Sequence, residues 1–496
     1  MLYLLLAITI LYALVNLIVQ EYDYMHPAFL FSFVFFVYTL MCVVNRATYE
    51  IELHAITVVV ITLGLSAFTL VGAMGRRLRH NGTEPVRQTT AYSLKKIHIS
   101  NWIVIGCILV QLVTIAAFIR YLHELTAVFN TTTFAITENR QVSESSLTAQ
   151  MDLFDTLTKF WSSLYASMNV KIPVLYRIGN PLTSAAAYIM IYVAVHNFLA
   201  DHSVNPLHIA VILLECVRIV LNGSRSPLFR VITMILILFY VLTIRNGRYR
   251  KGDRKVLLRI GVTVLLAGIG FMLLLNLMGR VDDKSSKINE YLFIYVGAEI
   301  VNLDTFLTRE LTTTSQLFFG MTEGVGLPVA QTLKEFYTYL NKLTGFQSVL
   351  PSGIGQFEYT ANGIVIGNVY TMFMKLFYDL GLPGVFFLTA LEAGYFCLTY
   401  DRMLDTTRGD NVGRNPLYFR LLIYSYLFND LVMSAFSARF YETVFDAPFI
   451  KLLLVAWIYD LVLFRRKLFL GRYRVPLTNV DYRRNTLCVK ARKTTV

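Results

Sequence analysis

Six arginines, Arg140, Arg177, Arg225, Arg280, Arg309 and Arg439, stand in or beside the segments that separate long apolar runs of this 496-residue chain. Arg225 is at the tip of a hairpin, NGSRSP, between the runs 209–221 and 230–244. Arginine carries a planar fork of donors that grips a phosphate through two bonds, and it keeps its charge at any accessible pH. A group of them on one side of a membrane suits a diphosphate, which gains negative charge as the bond to its leaving oxygen breaks. A second reading applies to each. The aliphatic stem can lie along the span while the guanidinium reaches lipid phosphate. Both readings stay open for Arg280, in MGRVDD, and Arg439, in SARFYE, because each sits where a span emerges.

A transfer reaction onto a hydroxyl also calls for a base. The eight histidines are at 26, 54, 80, 98, 123, 196, 202 and 208, so none falls in the long segment 279–382. A carboxylate of that segment is therefore the expected base, if one is needed, drawn from Asp282, Asp283, Glu290, Glu299, Glu323 and Glu358. Glu358 is preferred because it lies in a Gly-rich aromatic stretch, PSGIGQFEYTANG (351–363). Asp379 is a further catalytic candidate. Its spacing from Lys375 also allows a structural i, i+4 pair. Tyr359 and Tyr337 could stack on sugars or belong to the interfacial aromatic belt. No Asp-x-Asp pair with nearby histidines occurs in these segments, so neither a metal nor another cofactor is expected.

The elements that position these residues follow from composition. Hydrophobic residues make up 55% of the chain and charged residues 16%, too few charges to cover a soluble surface. Mean hydropathy is +0.54. The five cysteines have neither disulfide nor metal spacing, and the net charge of +13 reads as loop bias rather than nucleic-acid binding. A helix needs about 20 apolar residues to cross a hydrocarbon core about 30 Å thick. Eleven runs qualify: 3–19, 28–45, 53–74, 102–122, 184–200, 206–221, 227–244, 256–278, 383–400, 416–436 and 446–464. The fold class expected is an all-α polytopic membrane protein, since hydrocarbon leaves no open backbone group satisfied. The first run lacks a basic flank and a cleavage site, so it is expected to remain as a span.

Basic residues crowd the 75–101 and 245–255 loops and the 465–496 tail, which places all three in the cytoplasm. An even number of crossings must then separate the first two loops. The parity is met if 153–175 is a helix lying in the outer interface rather than a span. By the same count 364–380 is re-entrant, with Asn368, Lys375 and Asp379 on one helical face. The organisation is a transmembrane region 1–278 with an outer interfacial segment 123–183, a large outer loop 279–382, C-terminal spans over 383–464 and a basic tail. The N-terminus faces outward and the C-terminus inward.

The Gly-Ser-Arg tip (223–225), the large late outer loop and the run Asp379-Leu380-Gly381-Leu382-Pro383-Gly384 leading into a span resemble the Wzy-type oligosaccharide repeat-unit polymerases of O-antigen and capsule. The architecture is similar over nearly the whole chain, and the residue match is confined to those two motifs. The resemblance implies a metal-independent glycosyltransferase on the outer face of a bacterial cytoplasmic membrane. It would move a growing glycan from one undecaprenyl diphosphate onto a sugar of another lipid-linked repeat unit, with a chain-length regulator as a possible partner. Arg225, Arg280, Arg309 and Arg439 would bind diphosphate, Glu358 and Asp379 would be catalytic, and Tyr359 and Tyr337 would bind sugar. An O-antigen ligase-like transferase and a lipid-linked glycan transporter are the alternatives.

Overall fold

The computed structural model describes residues 1–80, 94, 96–138, 140–159, 161–223, 226–245, 293–321, 327, 329–345, 354–359, 363–404, 417–465, 467–470, 473–476 and 478–479. Among these, eight helices are long and apolar enough to cross a membrane, which makes the chain a multi-pass, almost wholly helical membrane protein. They are α1 (Leu2–Val19), α2 (Pro27–Val44), α4 (Ala55–His80), α5 (Asn101–Asn130), α9 (Val174–Asp201), α11 (Ser226–Arg245), α15 (Phe373–Leu404) and α18 (Ala447–Tyr459), the last extended by a π turn over Asp460–Arg465. Shorter helices α10 (Pro206–Leu221) and α16 (Phe419–Val432) fall on two further expected spans. The expected span 256–278 lies outside the described residues.

The described loops sort into two ends. At one, Asp23 accepts hydrogen bonds from the hydroxyls of Tyr240 (2.7 Å) and Tyr400 (2.9 Å), tying the α1–α2 turn to the last turns of α11 and α15. Lys96 pairs with Asp201 at 3.0 Å, Ile97 and the Asn197 side chain exchange two hydrogen bonds, and β1 (His98–Ile99) pairs antiparallel with Thr478–Asn479 of the tail. Of these, the 96–99 stretch and the tail belong to segments whose basic composition placed them together; the α1–α2 turn and the loop after α9 join them. The opposite end gathers the helices α3 (Arg46–Tyr49), α6 (Thr133–Thr137), α7 (Leu147–Lys159), α8 (Ser162–Ser167), α12 (Ala298–Glu310), α13 (Gln316–Phe319), α14 (Lys334–Thr344) and α17 (Arg439–Val444). The segment 153–175 contributes α7 and α8, both too short to cross.

Association of spans gains nothing from excluding water where lipid is as apolar as leucine, so close backbone approach matters more. α9 buries the small run Ser184-Ala185-Ala186-Ala187, and a Cβ on its Gly179 would strike Thr114 of α5. α4 and α15 form the other close contact. Gly64 leaves room for the ring of Phe373, which stacks on Phe35 at 5.1 Å.

The segment 364–380 differs from the expected continuous helix. Val365–Gly367 (β3) is extended and pairs antiparallel with Glu358–Tyr359 (β2). The helix begins only at Phe373, so Asn368 is not on a helical face with Lys375 and Asp379. The Asn302 side chain takes the Val369 carbonyl at 2.7 Å, which holds this stretch away from helical pairing. α15 then runs through a kink at Gly381 (φ 63°, ψ −149°) followed by Pro383. Proline removes a donor from the ladder, and the kink leaves the Tyr378 carbonyl free to accept the Met321 amide at 2.7 Å.

A Cβ at Gly381 would stand 2.4 Å from the Leu317 carbonyl oxygen, in a backbone region closed to other residues. Gly381→Ala should lower the detergent-solubilised protein's stability by at least about 1–3 kcal/mol. Gly394→Ala on the same helix, with nothing within 4 Å, should be neutral or stabilising by up to about 1 kcal/mol. Thermal unfolding of the two variants checks the opposite signs.

Candidate functional site

Charges at the end opposite the basic loops fall into two kinds, buried pairs that tie helices together and part-exposed groups around an opening. Arg225 and Arg280 lie outside the described residues. The described residues before Arg225, up to Gly223, are held by side-chain contacts. The Asn222 side chain accepts the Tyr176 hydroxyl at 2.7 Å and donates to the Arg218 carbonyl at 2.8 Å. Gly223 turns with φ 67° against Asp155 of α7. One turn below, Arg218 grips Glu215 through two bonds of 2.6 and 2.9 Å and also reaches Ser184.

Arg230, which its sequence position places inside a span, is the centre of a buried network one turn into α11. It donates to the Tyr426 hydroxyl (2.7 Å), Asp430 (2.8 Å) and Thr443 (3.3 Å), and its guanidinium sits 4.4 Å from the Tyr426 ring centroid. The network joins α11, α16 and α17. Next to it, Arg439 and Lys375 share one carboxylate, Glu442, at 3.4 and 2.8 Å, with Ser437 as a third partner. Burial alone would raise the Glu442 carboxyl, but Lys375 and Arg439 outweigh it and hold the group below the usual carboxylate range. Two cations on one carboxylate leave an excess of positive charge, and Arg439 is 35% exposed.

Both expected catalytic carboxylates are engaged. Asp379 does not pair with Lys375. It is buried, and its two oxygens accept the backbone amides of Gln331 (2.9 Å) and Thr332 (2.7 Å), fixing the turn that starts α14. The i, i+4 pairing fails because Lys375 points across to α17 instead. Glu358 Oε1 receives Arg309 at 2.8 Å and the Tyr370 hydroxyl at 2.6 Å. Burial, with Glu358 beside it, pushes the Tyr370 hydroxyl up to about 12, so it stays a proton donor to that carboxylate. Arg309 also binds Glu310 at 2.7 Å and remains 35% exposed. Of the expected sugar contacts, Tyr359 is 58% exposed and Tyr337 lies on α14 beside Phe336.

An open cavity of about 880 Å³ lies at this end of the molecule. Thr308 and Tyr359, each a chain neighbour of one member of the Arg309–Glu358 pair, line it, together with Tyr3, Arg46, Glu50, Glu52, His54 and Asp304. α3 ends at Glu50 in a left-handed turn (φ 49°), which swings Glu50 and Glu52 into the wall. α12 buries Ile300, Leu303, Phe306 and Leu307 at helical spacing, and that face sets Asp304 toward the start of α4. There Asp304 accepts the His54 backbone amide at 2.8 Å and the Thr57 hydroxyl, and His54 Nδ1 lies 2.8 Å from its second oxygen. Sequence reading limited the search for a histidine to the 279–382 loop. It missed one 250 positions away in the chain, for which no local pattern was available.

Among the described residues no group of three or more His, Cys, Asp or Glu side chains is placed to hold a metal ion.

Removing one member of a buried ion pair strands the other charge. Asp430→Leu should destabilise the solubilised protein by about 3–5 kcal/mol. Combining it with Arg230→Met should recover more than half of that loss, as thermal unfolding of the single and double variants would report.

No protein-family model matches the chain, and neither a curated protein nor a solved structure matches it, so the reading of this end rests on its geometry.

Proposed function

We propose that the chain is a membrane glycosyltransferase that polymerises undecaprenyl-diphosphate-linked oligosaccharide repeat units on the outer face of a bacterial cytoplasmic membrane. The observation that carries this reading is the open cavity of about 880 Å³ lined by Thr308 and Tyr359, the chain neighbours of Arg309 and Glu358, at the end away from the basic loops. Its wall mixes tyrosines, carboxylates, a histidine and an arginine, the side chains that pair with hydroxyls and stack on sugar faces. In this reading the donor's anomeric carbon sits in the cavity and its diphosphate lies toward Arg309. The bond to diphosphate breaks with its electron pair leaving on the phosphate oxygen, where guanidinium charge stabilises it. Arg439, with Arg225 and Arg280, supplies the remaining diphosphate contacts. Tyr359 stacks on sugar from the cavity rim, and Tyr337 reaches sugar from α14. Glu358, buried and bound through Oε1 to Arg309 and Tyr370, positions Arg309.

Two substitutions separate this role for Arg309 from simple neutralisation of Glu358. In cells lacking the chain, complementation with Arg309→Gln should shorten the glycan ladder to single repeat units, a rate loss of about 10²–10³. Arg309→Gln with Glu358→Gln should remain inactive if Arg309 meets the diphosphate. A full ladder from the double variant would reduce Arg309 to a partner of Glu358. The ligase reading predicts loss of glycan transfer to its final acceptor with polymer length unchanged.

A transporter reading draws on the buried pairs Arg230–Asp430 and Arg218–Glu215 inside helices, where ionisable groups often mark a pathway. It predicts that glycan length is indifferent to the chain while export is not.

Sidedness is tested separately. An impermeant thiol reagent should label Thr313→Cys in intact spheroplasts, and Ser100→Cys only after permeabilisation. The reverse pattern would put the cavity in the cytoplasm and remove the proposed reaction from the outer face.

A further inference from the structure

Deprotonation of an acceptor hydroxyl needs a lone pair that a sugar can reach; both Asp379 oxygens hold backbone amides, and Glu358 is buried with its Oε1 taken by Arg309 and Tyr370, so neither carboxylate presents an exposed oxygen. His54 offers a ring nitrogen instead. Its imidazole is 63% exposed, while the Asp304 carboxylate behind it is 5% exposed. A carboxylate only accepts, so its oxygen 2.8 Å from Nδ1 fixes the proton of the neutral ring on that nitrogen. The lone pair of Nε2 is then directed away from Asp304, and His54 lines the cavity. Asp304 is itself fixed by the His54 amide and the Thr57 hydroxyl, so the ring is held on an immobile support rather than on a loop side chain. Glu50 and Glu52 stand on the same wall, Arg46 lies over the Tyr3 ring, and Tyr359 supplies an exposed aromatic face.

We infer that His54 is the general base for the acceptor and that the cavity before it is the acceptor-sugar subsite, with Asp304 as the positioning residue. This inference rests on the transferase reading. The acceptor hydroxyl gives its proton to His54 Nε2. The oxygen's electron pair forms the new bond to the donor's anomeric carbon as the bond from that carbon to the diphosphate oxygen breaks. The leaving pair stays on the diphosphate, and the imidazolium returns its proton to water. No oxidant, reductant or further reactant enters. The subsite takes a neutral or weakly charged sugar, because Glu50, Glu52 and Asp304 would oppose a strongly anionic one.

The test uses full-length protein in lipid nanodiscs and, as substrate, the lipid-linked repeat units extracted from cells that lack the chain. Glycan extension is followed at saturating substrate. His54→Gln, whose amide can still reach Asp304, should lower kcat by about 10²–10⁴ with a small change in KM. His54→Ala should fall equally and regain part of its rate when free imidazole is added, since the backbone amide at position 54 still binds Asp304. Asp304→Asn should slow turnover without rescue by imidazole. Extension by His54→Gln at the wild-type rate overturns the inference and leaves the transferase reading standing. The base role fails in the same way if His54→Ala is inactive at every imidazole concentration, or if Glu50→Gln or Glu52→Gln removes the rate while His54→Gln does not. Failure of the wild-type chain to lengthen any glycan overturns the transferase reading, and the base role with it.

Discussion

A charge that leaves water for a helical bundle must find its partner inside the bundle, and most of this architecture can be traced to that requirement. Arg230 sits a turn below the hairpin tip, where neither lipid nor bulk water can serve its guanidinium. It draws Asp430, Tyr426 and Thr443 around it and so fixes how α11, α16 and α17 meet. Asp23 does the same at the opposite end, where two tyrosine hydroxyls from α11 and α15 converge on one carboxylate. These contacts are directional, which apolar packing between spans is not. They set the register of helices that lipid would otherwise let slide.

The same requirement separates arginines sealed inside the bundle from arginines left part-exposed. Arg218 and Arg230 each have a buried carboxylate partner and little exposed surface. Arg309 and Arg439 are each about a third exposed. Arg439 competes with Lys375 for a single carboxylate, so its charge is only partly cancelled. An incoming polyanion gains most from a cation that is already placed but not fully neutralised. By that criterion Arg439 is better suited to bind than the two buried arginines, while Arg309, as exposed as Arg439, is held by two carboxylates, Glu310 and Glu358.

Much of the helical frame was legible in the chain. Apolar runs 3–19, 28–45 and 227–244 fall within a residue of α1, α2 and α11, because hydrocarbon thickness and the rise of a helix dictate both. The longer helices overran the reading. α5 continues to Asn130 and α9 begins at Val174, since a helix does not stop where the bilayer does and polar residues prolong it into the outer segments. The kink of α15 was foreshadowed by Gly381 and Pro383. The delay of that helix to Phe373 was not, because it depends on Asn302 capturing a carbonyl 67 positions away. Arg309 and Glu358 were both named from sequence, but their pairing across 49 positions was invisible.

His54 shows why chemistry is harder to read than spans. By position it is the residue before a transmembrane helix, where a polar side chain excites no interest. Its surroundings come from Asp304, brought over by an amphipathic helix whose buried face is apolar. Asp304 caps the start of α4 in any case, so one carboxylate serves the helix terminus and orients the imidazole above it. That economy places the imidazole directly before the first turn of α4, a span packed along α15. The kinked helix α15 also carries Lys375 and Asp379. Both lie before the kink at Gly381, on the half of α15 whose Phe373 ring fills the space left by Gly64 of α4. The Lys375–Glu442 contact, the turn that Asp379 holds and the span that follows His54 therefore meet on one half-helix.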